Sequence, residues 1–236
     1  MGEKTGAYTA DLADQYEVFT KDNLAKYDLI CFNNTTSLKP NDDQKAAILD
    51  FVKSGKGIAG IHAAADNFGD WPEGLAMIGG VFNGHPWTAG GTWAFKVDDP
   101  THTLNATFGG KGFWHQDEIY WYKPESFEGR DKLRVLVSLD MSRPENQKAV
   151  QNDKFKDKFE GSPADIDVAV SWCHKVGDGR VFYTNVGHRE ETYWNTTMLR
   201  HYLDGIQYAL GDLSAEDIPA KGIQAAPAPE AAPVAK

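Results

Sequence analysis

The sequence predicts an α/β domain three layers deep, built on a mainly parallel central sheet. Three observations lead there. Ala47, Ile48, Phe51 and Val52 recur at helical spacing until Gly55 stops the run. Directly after it, Gly57–Ala65 reads as a short buried strand that breaks into a turn of small residues. Toward the C-terminus, Trp194, Met198, Tyr202, Ile206 and Leu210 line one face of a helix that Gly211 closes. Helix, glycine turn, apolar strand and abrupt elbow form the unit from which open α/β sheets are made. In such sheets ligands meet side chains at the carboxyl edge of the strands.

The other elements follow in order. Tyr8–Ala10 reads as a short strand and Asp22–Lys26 as a helical turn, with no strongly apolar strand before them. Leu29–Asn33 is a buried strand whose end, Asn33–Thr36, turns polar, and Pro40 opens the next helix. After the elbow at His62 come a loop, Asp66–Pro72, and a short helix ending at Gly79-Gly80. Thr92–Val97, Gln116–Tyr122 and Leu133–Leu139 read as strands. Val168–His174 and Arg180–Asn185 make a hairpin across Gly177-Asp178-Gly179. Residues 1–212 therefore form one domain. Residues 213–236 change character: Ala225–Pro233, an Ala/Pro-rich stretch, reads as a disordered tail or as a linker to a second domain.

Composition narrows the partners. Among 236 residues, 34 are acidic and 24 basic, a formal net charge of -10. Such a balance repels phosphate backbones and anionic lipid, so no nucleic acid and no membrane is expected as a partner. No apolar run approaches the roughly 18 residues of a membrane span. The N-terminus lacks the pattern of a signal peptide, which leaves cytoplasm and, after loss of a leader, periplasm both open. Cys31 and Cys173 lie in apolar runs and read as buried thiols with no disulfide framework.

Three histidines stand out by context. His62 ends a buried strand at an elbow, His188 follows the last hairpin strand, and His85 lies in the rigid loop Gly84-His85-Pro86. In Asp117-Glu118 the two carboxylates point to opposite faces of a strand, so Glu118 and Tyr120 share one face and Asp117 shares the other with His115. One carboxylate can then reach a cleft while its neighbour anchors backbone or a second histidine. No His-x-His, His-Glu-x-x-His or Cys-x-x-Cys spacing occurs, so no cofactor is expected. A divalent metal stays open only as a site assembled by the fold from His62, His85, Glu118 and His188. The glycine pairs form no phosphate-binding fingerprint. Of seven tryptophans, Trp71, Trp87, Trp114, Trp121 and Trp194 fall near these segments, and flat rings suit the faces of sugars. Asn67, Asn83 and Arg189 are the candidate polar contacts.

Gly57–Ala65, Asp117-Glu118 with Tyr120, and Gly187-His188-Arg189-Glu190-Glu191 together resemble the ThuA-like family, named for trehalose utilisation. The resemblance runs from about Tyr27 to about Leu210. It implies a flavodoxin-like domain similar to the class I glutamine amidotransferases. ThuA-like proteins usually open with an apolar strand, so the chain reads as N-terminally shortened, with that first strand missing. In the amidotransferases the elbow holds a cysteine and a late His-x-Glu completes a triad. By resemblance His62 takes the cysteine position, and His188 with Glu190 the late pair. A thiolate attacks an amide carbonyl, whereas imidazole facing imidazole supports proton transfer or metal binding, so glutamine hydrolysis is not expected.

The resemblance further implies an enzyme of carbohydrate metabolism, acting on a glycoside or on an oxidised derivative such as a 3-keto sugar. His62 and His188 are then the acid–base pair, Glu190 orients His188, and Glu118 is a second carboxylate. His85, Tyr120, Asp117, Arg189, Trp87, Trp114 and Trp194 position the substrate, a small sugar or glycoside. A homo-oligomer, or a second domain tethered through the C-terminal segment, stays open. The rivals are a non-catalytic carbohydrate-binding or scaffold domain and a metal-dependent hydrolase.

Overall fold

A computed structural model describes residues 1–232. Two single helical turns, α1 (Gly2–Thr5) and α2 (Lys21–Leu24), lead in, and Tyr8–Ala10, expected as a strand, is irregular. Strands β1 (Leu29–Asn33) and β2 (Gly57–Ile61) then pair in parallel across helix α3 (Asp42–Lys53). Asn41 starts α3 through a reciprocal capping box with Gln44, which satisfies two of the amides that a helix start leaves free. Helix α4 (Pro72–Ile78) follows the elbow, with Pro72 in its first turn and Gly79 as a left-handed cap.

The remaining elements are β3 (Phe82–Trp87), β4 (Thr92–Val97), β5 (Phe113–Gln116), β6 (Ile119–Tyr122), β7 (Arg134–Leu139), α5 (Pro144–Val150), β8 (Ala169–Val176), β9 (Gly179–Thr184) and α6 (Thr196–Leu210). Seven strands form one sheet in the order β1-β2-β9-β8-β7-β4-β5. The α/β architecture is the expected flavodoxin-like one, and its sheet is mixed. β1, β2 and β9 run parallel, and the strands beyond β9 alternate in direction. The tight turn Gly177–Gly179 explains the change, because a connection that short can join only antiparallel strands.

Helices cover both faces. Along β9, Val181 and Tyr183 enter one core with Ile48 and Phe51 of α3 and Met77 of α4. Phe182, pointing the other way, enters a second core with Met198, Tyr202 and Tyr208 of α6. Close approach of α6 depends on a missing side chain. A Cβ on Gly57 would stand 2.3 Å from the carbonyl oxygen of Ala209.

Three further expectations need correction. The single strand Gln116–Tyr122 is two: β5 belongs to the large sheet, while β6 pairs with β3 in a separate two-stranded one. The chain changes sheets at Asp117-Glu118, where the Asp117 side chain takes the Glu118 amide at 2.9 Å and ends the ladder. Cys31 is exposed on β1, the sheet's edge strand, while Cys173 is buried; both are free thiols. The third concerns the C-terminal segment, which docks instead of dangling. Ala226 exchanges two backbone hydrogen bonds with Val97, of 2.9 and 2.8 Å. The Ala228 amide donates to Asp140 at 2.9 Å, and Trp114 donates its indole N–H to the Pro229 carbonyl at 2.9 Å. Small side chains permit this: a Cβ on Gly112 would lie 2.4 Å from the carbonyl carbon of Pro227. Pro233, the end of the Ala/Pro-rich stretch, lies outside the described residues.

Candidate functional site

β2 ends in an elbow. His62, the first residue beyond it, has φ 48°, in the left-handed region that costs a residue with a Cβ about 1 kcal/mol. Two contacts hold it there. Tyr183 donates its hydroxyl to the His62 carbonyl at 2.8 Å, and His62 Nδ1 lies 2.6 Å from the Asn185 carbonyl. A carbonyl only accepts, so Nδ1 carries a proton and Nε2 is the nitrogen left to face the cleft. The ring is 1% exposed, and Nε2 has no hydrogen-bond partner among the described residues.

Glu118 faces that nitrogen. Its Oε1 lies 3.6 Å from His62 Nε2 and 3.5 Å from His188 Nδ1, while its Oε2 lies 3.2 Å from His85 Nδ1. One carboxylate thus meets three imidazoles drawn from three stretches of chain. Burial pushes the Glu118 carboxyl up, and His62, His85 and His188 outweigh it and hold the group below its ordinary value. His85 and His188 are partly open to solvent and mark the mouth; His62 and Glu118 form the floor. Tyr120 lies over His62 with ring centres 4.2 Å apart, and Phe82 stands 4.4 Å from Tyr120 and stacks on His85. Those rings make an aromatic wall.

The loop bearing His188 is fixed by the other carboxylate. Asp117, fully buried, accepts from the amide of Gly187 at 2.7 Å and from that of Arg189 at 2.9 Å, on either side of His188. It also accepts from the Thr192 hydroxyl at 3.1 Å, and that oxygen lies 2.9 Å from His115 Nε2. From the opposite side, Asn34 donates to the Gly187 carbonyl at 2.9 Å and Tyr193 donates to it at 3.1 Å. The division of labour expected of the acidic pair is therefore present: Glu118 reaches the cleft and Asp117 anchors backbone.

Other expected residues fall elsewhere. Glu190 is exposed, forms no ion pair with His188 among the described residues, and leaves Glu118 as the carboxylate that meets that ring. Trp87 is wholly buried and donates to the Asn146 carbonyl at 3.0 Å, so it is core. Trp114 is engaged by the C-terminal segment, and Trp194 stands 79% exposed just before α6. Arg189 turns away to Glu191, at 2.6 Å, and to the Ala89 carbonyl. Asp117 has no face left for a ligand. Asn67 binds Thr35 and the amide of Leu38. Sequence reasoning missed Phe82 and Asn185. Asn185 also brackets the Tyr120 backbone with two bonds of 3.1 Å, and its position, polar at the end of a buried strand, was the available signal.

This arrangement can move protons between an ionised carboxylate and imidazoles, or hold a cation. His62, Glu118 and His188 each offer a ligand atom, all within 4.8 Å of one another.

Comparison with known proteins agrees with the architecture. A ThuA-like protein from Bacteroides uniformis superposes with a TM-score of 0.68 at 20% identity, over 88% of this chain and 80% of its own. One from Parabacteroides merdae gives 0.64 at 17% identity, over 94% and 87%. A cytoplasmic protein from Salmonella typhimurium gives 0.54 at 12% identity, over 90% and 84%. At these identities the likeness speaks for the fold. No curated protein matches the sequence. The family model for ThuA, described as trehalose utilisation, matches residues 1–209, and the chain belongs to that family, with the carbohydrate-related role its description carries.

Proposed function

We propose that the chain is an enzyme acting on a sugar derivative, a glycoside or its 3-keto form, by proton transfer at the His62–Glu118–His188 cluster. The observation that carries this reading is the single carboxylate within 3.6 Å of three imidazoles. His188, at the mouth, is the group that exchanges a proton with a substrate hydroxyl or carbon acid. Glu118 stabilises the imidazolium that forms, and His62, gripped by Asn185, faces the carboxylate from below. Phe82, partly exposed beside His85, offers an apolar ring surface of the kind that receives a pyranose, with Tyr120 buried behind it. The sugar itself comes from the family's description. Thiolate chemistry on an amide is not available, because the elbow presents an imidazole.

Turnover of glycosides and of their 3-keto derivatives tests the reading. His62→Ala and His188→Ala should each lower the rate by about 10²–10⁴ with the fold retained. Unchanged turnover in both variants overturns the assignment.

A further inference from the structure

We propose that His62 Nε2, His188 Nδ1 and Oε1 of Glu118 are the ligands of one divalent transition-metal ion, with a coordination position left open for water or substrate. The inference deepens the reading above by turning His62 and His188 from proton carriers into ligands, and its catalytic consequence rests on that same cluster being the reaction centre.

The distances favour an ion over hydrogen bonds. At 3.6 and 3.5 Å from Oε1, the two nitrogens are too far for good hydrogen bonds, and His62 Nε2 finds no other hydrogen-bond partner among the described residues. Ligand atoms about 2.1 Å from a tetrahedral ion stand about 3.4 Å apart. The two separations from Oε1 are close to that edge, and all three ligand atoms lie within 4.8 Å of one another.

The fixed ring of His62 argues the same way. The Asn185 carbonyl uses its Nδ1–H, so Nε2 is the atom turned to Glu118, at 3.6 Å. A buried nitrogen and a carboxylate oxygen that face each other need positive charge between them. A bound cation supplies it to both at once.

The surroundings resemble the support that metal ligands receive. The Asn185 carbonyl fixes the ring of His62, His85 faces the second oxygen of Glu118, and Asp117 pins the loop of His188. Two imidazoles and one carboxylate suit zinc, cobalt or iron better than calcium or magnesium. Three protein ligands leave the set incomplete, as catalytic sites require and structural ones do not. With an ion in place, polarisation of a sugar hydroxyl or carbonyl passes to the metal, and His85, at the rim, becomes the proton carrier.

The test uses the full chain, stripped with a chelator and titrated with Co²⁺ and with Zn²⁺. Calorimetry should give one ion per chain, and Co²⁺ should develop visible ligand-field absorption. Glu118→Gln and His62→Asn, the latter chosen because Asn tolerates the left-handed backbone, should each weaken binding by at least about 100-fold. His188→Ala, on a surface loop, repeats the test without touching the buried floor; circular dichroism checks the fold of each variant. Absence of saturable binding overturns the proposal, as does binding that is unchanged in all three variants. Stoichiometric binding without sugar turnover overturns the enzymatic reading alone. Full turnover by ion-free protein that takes up no metal overturns the metal site alone.

Discussion

A carboxylate oxygen of Asp117 lies 2.7 Å from the backbone nitrogen of Gly187, 70 positions further along the chain. That bond, with its companion to Arg189, makes Asp117 a positioning residue: it acts on the site through the loop that carries His188. Asp117→Asn keeps the shape, loses the charge and turns one acceptor into a donor facing amides. We expect a loss of about 2 kcal/mol in urea unfolding. The rate should fall with little change in KM, because the substrate does not touch this residue. A variant with full kcat would show that the loop holds itself.

Glu190 provides the opposite case. It is exposed and unpaired with His188, so Glu190→Ala should leave turnover and thermal stability at wild-type values. A loss of rate comparable with that of His188→Ala would restore Glu190 to the site.

The elbow makes a sharper demand. A Cβ on Gly60 would lie 2.9 Å from a ring carbon of Tyr183 and 3.2 Å from the Cβ of Ala64. Tyr183 cannot give way easily, since it is stacked on Trp172 and its hydroxyl holds the His62 carbonyl. Gly60→Ala should therefore destabilise the protein by about 1–3 kcal/mol and shift His62. Thermal melting measures the first effect and turnover the second; an unchanged melting temperature would count against this picture of the core.

Much of this was legible before the structure. Helix α3, β2, the elbow and the β8–β9 hairpin rest on local patterns of spacing and turn residues, and those survive folding. The break at Asp117-Glu118 does not, because which sheet a strand joins depends on partners far away in sequence. The docked C-terminal segment escaped for a related reason: an Ala/Pro composition says nothing of Gly112 or Asp140, which receive it. Trp87 and Trp114 look like sugar platforms on a list of residues, and only packing shows that one fills the core and the other is covered.

Acid should weaken the fold through buried histidines. Burial pushes His201 down to about 4, with His102 adding repulsion and the Leu104 carbonyl opposing the shift. The unfolded chain takes up this proton near pH 6.5, whereas the folded protein resists until about pH 4. Stability present above pH 6.5 is thus lost as the pH falls toward 4, by about 3 kcal/mol for a full shift of this size. His174, also pushed down to about 4 by burial, adds to the same slope. Urea midpoints at pH 7.5 and pH 5 should show the decline, and His201→Gln should flatten it. A flat profile in the native protein would mean that these rings are more open to water than their packing indicates.

Removal of the docked segment gives the last expectation. Ending the chain after residue 224 deletes the bonds to Val97, Asp140 and Trp114. The melting temperature should drop by several degrees, on the order of 2–4 °C per kcal/mol lost in a domain of this size. Newly wetted Trp114 should shift tryptophan fluorescence to the red. Identical melting and emission would show that the segment contributes nothing.

His62, Glu118 and His188 come from three stretches that have no local reason to meet. Their encounter requires β2 to lie against β9, the small sheet to fold over the elbow, and the last loop to be tied down by Asp117. Each of these closes a long loop, and contacts of that kind form slowly because chain entropy must be given up first. The cluster is therefore assembled only once those long-range contacts have closed. A nascent, nicked or half-folded chain carries all three side chains without bringing them together.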